Sequence, residues 1–516
     1  MDIAIVIPPR IIDDFGYTPA AAALLKGSLN EANFISQVMD LNSEVDERFR
    51  EHELINAINN FFLFNTFYNK RVWEILAGLF NEWADRILEL SPRWVAISVF
   101  TYNSQRATRL LAIAIKKKSP ETKIVIGGAG IATDFDFPET LKKQKIIDAF
   151  IRGEGELAIV ELLNGNTVFP GINGIPPAQI KDVDEIPFPD YSDYELKNYT
   201  NKKGLEALPI TGSRGCVRKC TFCDIASMWP RYYYRSGKNI ADEIRFQINK
   251  HGVNSFRFTD SLINGSMKAF REMINELSEF RMSLPEHKRF TWDTHFIVRG
   301  EKHMKPSDFD IMRDAGAGTL LIGVESGSPA VRDHMKKGFT ESDLDYTMEQ
   351  LHRVGVKTRL LMIVGYPTET KEDFNLTLKM FERYKKYLDS GIIEEVNLGL
   401  TLNLLPNTPL WDKKEEYNIL QKNDHINDWV CMDNPSLTYK ERLRRRIILQ
   451  ARIEDMGYKV FESENYLKQL ISSWEEVRSL PENTGTLIKT FNYDAEQNSI
   501  TAQIIDNEKN YHKIDV

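Results

Sequence analysis

Short β-branched runs alternate with longer amphipathic stretches along most of the chain. The first run, Ile3 to Ile7, is followed by Pro8-Pro9, the helix-compatible TPAAAALLKGSLNEA and a second apolar run, FISQVMDL. Strand, helix, strand at this spacing predicts a βαβ unit and the start of a parallel sheet. Residues from about 45 to 90, as in RVWEILAGLFNEWADRILEL, place aromatic and charged residues at helical spacing and predict a helical insertion on that sheet. The alternation resumes with WVAISVF (94–100), a helix over SQRATRLLAIAIKKK, the strand KIVIGG (123–128) and IIDAFI ahead of Arg152-Gly153-Glu154. This is the pattern of a doubly wound α/β domain of Rossmann type over 1–180, whose ligands sit beyond the carboxyl ends of its strands. Pro8, Pro9, Ser98, Thr101, Gly127, Gly128, Gly153 and Glu154 fall at that edge. Two readings of Gly127-Gly128 stand side by side: bare backbone for a ligand to approach, or a tight turn.

Pro187 and Pro189, in VDEIPFPDY, favour extended backbone and mark a linker over 181–204. From 205 to 410 the pattern becomes repeated strand and helix, with strands at ALPIT (207–211), NSFRFTD (254–260), RFTWDTH (289–295), GTLLIGVE (318–325), KTRLLMIVG (357–365) and EVNLGLTL (395–402). Six βα units suit a partial (β/α)6 barrel, with active residues at the strand carboxyl ends. Those ends are polar: Asp260 after the second strand, Asp293 and His295 on the third, Glu325 and Ser326 at the fourth, Gly365 and Pro367 after the fifth. Asp293 and His295 are two apart on a strand and share a face. On the lumen side they would serve as acid and base; a histidine satisfied within the structure is the competing reading. Arg235, Arg299 and Arg359 are candidate carboxylate partners. Residues 411–516 predict an amphipathic helix over YKERLRRRIILQARIEDM, a shorter helical stretch near 463–478 and a hairpin in GTLIKTFNYDAEQNSITAQIID.

With 516 residues, 42% hydrophobic and 27% charged, the chain reads as a globular protein of two or three domains. Its net charge of -8 argues against a general nucleic-acid binder. The basic run RLRRR (442–446) is expected as a solvated helix face. No apolar segment reaches the length of a membrane span, and MDIAIVIPPR is too short for a signal core before its prolines, so a cytoplasmic location without membrane contact is expected. Four cysteines give no disulfide framework.

Three of those cysteines stand in CVRKCTFC as Cys216, Cys220 and Cys223. Three thiolates on one loop can bind three irons of a [4Fe-4S] cubane and leave the fourth iron open to a chelating substrate. A zinc site would ordinarily add a second C-x2-C knuckle, which the chain lacks, and three buried thiols are the plainest alternative. Cys431 reads as buried packing or as a thiol donor. The aromatic run WPRYYYRS (229–236) either shields the loop or packs it.

The order of SVFTYN, IVIGG, RGEGE, the proline-rich VDEIPFPDY and the cysteine loop resembles the B12-binding branch of the radical SAM enzymes over roughly residues 1–410. The resemblance implies a cobalamin-binding-like first domain, a [4Fe-4S] cluster on Cys216, Cys220 and Cys223, and S-adenosylmethionine chelated at the open iron. It places Phe222 near the adenine, Glu325 and Ser326 at the ribose or methionine, and Gly365 and Pro367 at a turn near the adenine; Asp260 is a further cofactor-contact candidate, with orientation of neighbouring loop amides as its competing reading. The D-x-H-x-x-G motif that supplies cobalt with a histidine in other B12 proteins is missing: the first loop reads PPRIIDDFGY, and the first histidine is His52. The implied activity is reductive cleavage of S-adenosylmethionine to a 5′-deoxyadenosyl radical, with methyl transfer from cobalamin to an unactivated carbon. A rearrangement, cyclisation or oxidation, with or without cobalamin, is the alternative, and a corrinoid sensor or carrier the third. The expected partners are a small-molecule or peptide substrate and an electron donor such as flavodoxin or ferredoxin.

Overall fold

The computed structural model describes residues 1–10, 18–50, 52–63, 69–132, 134, 136–199, 207–399, 401–421, 426–461, 487–494, 499–505 and 511–515. The chain divides into two compact units. One comprises Met1–Ile210, Tyr233–Arg235 and Asp242–Arg257, the other Thr211–Tyr232, Ser236–Ala241 and Phe258–Val516.

The first sheet contains β1 (Ile3–Ile7), β2 (Ser36–Asp40), β3 (Trp94–Ser98), β4 (Lys123–Gly127) and β5 (Ala149–Ile151) in the order β2-β1-β3-β4-β5. All its pairings are parallel. All five residues of β1 are buried, which is why its sequence shows no polar alternation. The chain moves from β1 to β2 on one side and returns to β3 on the other, so the strand order reverses between β1 and β3. Helix α1 (Ala20–Glu31) joins β1 to β2; α2 (Leu41–Phe49), α3 (Ile55–Leu63) and α4 (Lys70–Glu89) separate β2 from β3; α5 (Gln105–Lys118), α6 (Asp136–Lys143) and α7 (Glu156–Leu163) follow β3, β4 and β5.

The helical insertion is held by its apolar stripe. In α4, Val72, Leu76, Leu79, Phe80, Trp83, Ala84 and Ile87 are buried, and the Asn69 side chain caps the first turn by accepting from the Val72 N–H. Glu44 on α2 accepts from Trp83 Nε1 at 3.0 Å and from both terminal nitrogens of Arg86 at 2.8 and 2.9 Å. At roughly 1.5–3 kcal/mol per large buried side chain, the stripe outweighs this partly exposed ion pair, worth about 1 kcal/mol or less. The proline-rich stretch read as a linker is packed: Lys26 on α1 meets Asp193 at 2.6 Å, Asn30 donates to Asp190 at 2.8 Å, and Tyr191, Tyr194 and Tyr199 are buried.

The second sheet has six strands, β6 (Leu208–Ile210), β7 (Ser255–Phe258), β8 (Thr291–Phe296), β9 (Ala317–Glu325), β10 (Lys357–Met362) and β11 (Ile393–Asn397), in the sequential order β11-β10-β9-β8-β7-β6. The order ends at β6 and β11 without closing, as a partial barrel requires. Along β8 and β10 every second residue is buried, one face packed and the other half-open. The helices are α8 (Ile225–Met228), α9 (Gly237–His251), α10 (Met267–Ser283), α11 (Pro306–Asp314), α12 (Pro329–His334), α13 (Glu341–Val354) and α14 (Lys371–Asp389). Capping boxes start α13 (Thr340 with Asp343) and α14 (Thr370 with Asp373).

After the barrel come α15 (Pro409–Asp412), the antiparallel pair β12 (Ile419–Gln421) and β13 (Trp429–Cys431), α16 (Tyr439–Asp455), and an antiparallel sheet of β14 (Leu487–Asp494), β15 (Ser499–Ile505) and β16 (Tyr511–Asp515). The helical stretch expected near 463–478 lies outside the described residues. The RLRRR run is not a solvated face. Arg442, Arg445 and Arg446 on α16 are 0%, 7% and 0% exposed, because backbone carbonyls and acidic groups receive their guanidinium donors.

Candidate active site

Cys216, Cys220 and Cys223 are half-buried and unbridged on the loop that follows β6. Thr221, inside that loop, is fully buried and spends each polar group on a different segment. Its N–H donates to the Met335 carbonyl at 3.1 Å, its carbonyl accepts from Leu410 at 2.8 Å, and its hydroxyl bonds the Tyr366 hydroxyl at 2.8 Å. Tyr366 in turn donates to the His334 carbonyl at 3.1 Å. Burial pushes all three thiols upward, Cys223 to about 11, while Lys337 pulls back on Cys216 and Cys220. The free thiols therefore keep their protons at neutral pH, and a metal centre must displace them. Among the described residues, no three or more His, Cys, Asp or Glu side chains gather around a point that would hold a single ion. A cubane asks for a different donor set, one thiolate on each of three irons, and that is what the loop offers.

Phe222 packs against the apolar cluster of Met335, Tyr366, Leu410 and Trp429. The Lys337 ammonium lies 5.9 Å from its ring centroid and 2.9 Å from Glu325 Oε1. Burial opposes the charge on Lys337, and Glu325 with Cys220 and Cys216 more than offsets it, raising the ammonium above its ordinary value. Glu325 ends β9 at φ +68°, a left-handed conformation that costs a residue with a β-carbon ~1–3 kcal/mol. Its carboxylate thus serves a rim ion pair, the use that competes with ribose binding. Ser326 is buried; its hydroxyl accepts from the Ser328 N–H at 3.1 Å and its carbonyl accepts from Arg332 at 2.8 Å.

Asp260 is buried and orients the start of the cysteine loop, accepting from the Gly212 N–H at 2.8 Å and from the Ser213 hydroxyl. Asp293 and His295 share the half-open face of β8. Asp293 Oδ1 accepts from the Thr319 N–H at 2.7 Å, where the β8–β9 register shifts between Trp292 and Thr294. This carboxylate closes a gap in the ladder, while His295 stands two residues nearer the carboxyl end. Arg235 is paired with buried Glu243, and Arg359 lies 3.6 and 3.5 Å from Glu394 and Glu395.

The turn after β10 is fixed from the carboxyl-terminal side. Gly365 has φ +81°, and a β-carbon there would stand 2.4 Å from Cγ and Cδ of Arg442. Its bare backbone admits this arginine stem. Arg442 Nη1 donates to the carbonyls of Trp429 (2.9 Å) and Leu437 (3.0 Å), and its guanidinium lies 3.7 Å from the Trp429 ring centroid. Burial pulls Arg442 down to about 9. Glu369 Oε2 accepts from the Gly365 N–H at 3.3 Å, and Oε1 meets Arg445 at 3.0 Å. The Pro367 carbonyl accepts from Asn434 at 3.3 Å. Cys431 is 2% exposed within the apolar cluster, its thiol directed at the Tyr417 carbonyl at 3.5 Å, so packing accounts for it. Lys337, Thr221, Tyr366 and the Glu369–Arg445 pair were missed by sequence reasoning. Each acquires its meaning from partners distant in the chain.

In the first unit, Pro8 and Pro9 are buried beyond β1, and Ser98 and Thr101 are half-buried beyond β3. The Thr101 hydroxyl oxygen and Asn103 Oδ1 are buried with no hydrogen-bond partner among the described residues. Phe100 and Tyr102 beside them are 57% and 64% exposed, and the Arg10 guanidinium lies 5.5 Å from the Phe100 ring centroid. Gly128, at φ +114°, makes its close approach to the chain itself: a β-carbon would meet the Val99 carbonyl at 2.6 Å. Gly127 is half-buried and its carbonyl accepts from the Val99 N–H at 2.7 Å. Gly153 is exposed, and Glu154 accepts from the Ile180 N–H. Asp40, overlooked in the apolar FISQVMDL, ends β2 half-buried. Burial raises its carboxyl, which accepts from Tyr199 at 2.8 Å and from Asn42 and Ser43 at 3.0 Å. His52, the first histidine, uses Nδ1 to accept from Leu54 at 3.0 Å. Orphaned polar atoms and exposed aromatic rings beyond β3 fit a large flat ligand, and among the described residues no histidine is offered to it there.

Residues 210–381 match the radical SAM superfamily and residues 71–163 the B12 binding domain. The chain is 28% identical over 317 residues to the anaerobic magnesium-protoporphyrin IX monomethyl ester cyclase of Cereibacter sphaeroides, over 58% of this chain and 50% of that protein. It is 25% identical over 357 residues to an uncharacterised methyltransferase of Pyrococcus horikoshii, over 66% of this chain and 73% of that one. It thus spans about half the length of the cyclase. The structure resembles the radical S-adenosylmethionine methyltransferase TsrM of Kitasatospora setae with cobalamin and [4Fe-4S] cluster bound (TM-score 0.57, 18% identity, 83% of this chain and 78% of that chain). It also resembles the cobalamin-dependent radical enzyme OxsB with aqua-cobalamin and S-adenosylmethionine bound (0.61, 18%, 82% and 62%). At such identity the likeness is one of fold. The chain thus carries a B12 binding domain and a radical SAM domain together.

Proposed function

We propose that this protein is a cobalamin-dependent radical SAM enzyme that methylates an unactivated carbon of a small-molecule or peptide substrate. The observation that carries the reading is the joint occurrence of a three-thiol loop on a partial barrel and a B12-binding domain in one chain. When bound, the cluster and corrinoid supply one-electron cleavage of S-adenosylmethionine, which yields the hydrogen-abstracting 5′-deoxyadenosyl radical, and a transferable methyl group. In this assignment Cys216, Cys220 and Cys223 are the cluster ligands, and Phe222 walls the site. Glu325 and Lys337 present paired charges beside the loop, Asp260, Ser326, Gly365 and Pro367 shape the strand ends around S-adenosylmethionine, and His295 is the acid–base group. Pro8, Pro9, Ser98, Thr101, Gly127, Gly128, Gly153 and Glu154 form the corrinoid edge. The open thiols call for a reducing compartment, the cytoplasm, with a flavodoxin or ferredoxin as electron donor.

A second reading, radical cyclisation without methyl transfer, is favoured by the 28% identity to the cyclase. Anaerobic reconstitution with iron, sulfide, hydroxocobalamin, S-adenosylmethionine and a strong reductant tests both. The expected outcome is about four irons per chain on the usual cubane stoichiometry, bound corrinoid and 5′-deoxyadenosine, all iron-dependent products being lost in Cys220→Ala. Iron loading without 5′-deoxyadenosine would exclude radical chemistry. Cleavage in a chain that retains no corrinoid would select the second reading.

A further inference from the structure

Two guanidinium groups at the carboxyl ends of the first three barrel strands have no carboxylate partner among the described residues. Arg299, three residues beyond β8, is held in place. Its Nη2 donates to the carbonyls of Asn264 (3.1 Å) and Gly265 (2.9 Å), beyond β7, and the Asn264 side chain locks onto the Ile297 N–H and carbonyl at 3.0 and 2.8 Å. Its Nε is buried and unbonded. Arg218 lies in the cysteine loop with its guanidinium against Gly338, where a β-carbon would stand 2.3 Å from Nη1; its Nε is also buried and unbonded.

The segment from 338 to 343 connects the two sites. Gly338 precedes the α13 cap Thr340, and Asp343 in the first turn of α13 packs on Gly300, next to Arg299. Asp343 Oδ2 is committed to the Thr340 N–H and hydroxyl at 2.9 and 2.8 Å and pairs with neither arginine. Burial first, and then the charge of Arg218, hold the Arg299 guanidinium below its ordinary value. Two neighbouring cations partly withdrawn from water repel each other and lack donors' partners, so an anion with two acceptor oxygens would relieve both deficits. The planar fork suits a carboxylate or phosphate, and the ordering of Arg299 is already complete before binding.

We propose that Arg218 and Arg299 form a preorganised fork at the barrel mouth that binds a carboxylate or phosphate group of the substrate. The proposal rests on the barrel mouth being the reaction site assigned above. Its test is calorimetric titration of the full-length, cluster-reconstituted protein, loaded with S-adenosylmethionine, with inorganic phosphate.

Phosphate is expected to bind the unsubstituted protein and to bind Arg218→Met about tenfold more weakly, the worth of one charge-assisted hydrogen bond. Arg299→Lys, which keeps the charge without the fork, should fall between them. Arg299→Met also loses two carbonyl contacts, so Arg218→Met, whose guanidinium makes no hydrogen bond among the described residues, is the cleaner variant. S-adenosylmethionine affinity should be equal in all. If that affinity falls in Arg218→Met while phosphate binds only without S-adenosylmethionine, the cofactor's own carboxylate occupies the fork and the substrate assignment is overturned. Equal phosphate binding in all proteins, or none in the unsubstituted one, overturns the fork itself. Cleavage of S-adenosylmethionine, measured on the same preparation, reports separately on the radical reading, since phosphate still probes the fork if cleavage is absent.

Discussion

Glu369 shows how a single residue links stability to pH at this site. Burial raises its carboxyl from 4.5 to about 7, with Arg445 and the Gly365 N–H opposing the shift. The folded chain therefore binds this proton more tightly than the unfolded one, so its contribution to stability is complete below pH 4.5 and is lost as pH rises through about 7. Glu369→Gln, which keeps the shape without the ionisation, should lose less thermal stability than the unsubstituted apo-protein between pH 4.5 and pH 7. Equal slopes in scanning calorimetry would contradict this. Residues of this kind were illegible in the chain: ETKED around Glu369 reads as a helix start, and its partner Arg445 is 76 positions away. The cysteine triad was legible because its chemistry lies within one loop. Asp293 and His295 were legible as a shared face, but the use of Asp293 to satisfy Thr319 depends on a register shift that no local pattern announces.

Among the elements, α16 departs most from its sequence pattern. An RLRRR run on a helix suggests solvent, yet Arg442 inserts its stem beneath Gly365, Arg445 reaches Glu369, and Arg446 donates to the Gly399 carbonyl and to Gln450. The turn held by Arg442 and Arg445 also carries Tyr366, which bonds Thr221 in the cysteine loop. A helix remote in sequence thus braces the loop through one turn. Arg442→Met retains most of the stem and leaves the carbonyls of Trp429, Leu437 and Asn427 without their donors. Orphaned buried acceptors cost about 1–3 kcal/mol each, partly offset by relief of a buried charge. The expected net loss is about 2–4 kcal/mol, seen as a lower midpoint of thermal unfolding and faster iron loss from the reconstituted protein. An unchanged midpoint would show that α16 does not brace the turn.

Over the whole molecule, the two parallel sheets follow from sequence periodicity, and the strand positions agree within a few residues, as from WVAISVF to Trp94–Ser98 and from GTLLIGVE to Ala317–Glu325. The missing D-x-H-x-x-G motif leads to a prediction at this scale. His52 is occupied by the Leu54 N–H in the helical insertion, so His52→Ala should leave corrinoid uptake and the cob(II)alamin paramagnetic resonance spectrum of the full-length protein unchanged. Loss of a nitrogen splitting in that variant would restore a histidine ligand. The sequence alone determined the alternation of strands and helices and the three-thiol loop, because hydrophobic period and ligand spacing are local properties of a chain. Tertiary structure alone decided which charges are buried and what they meet. It paired Lys337 with Glu325, drew Arg442 and Arg445 under the turn that steadies the cysteine loop, and left Arg218 and Arg299 without a carboxylate partner among the described residues, since desolvation and pairing depend on neighbours that only folding brings together.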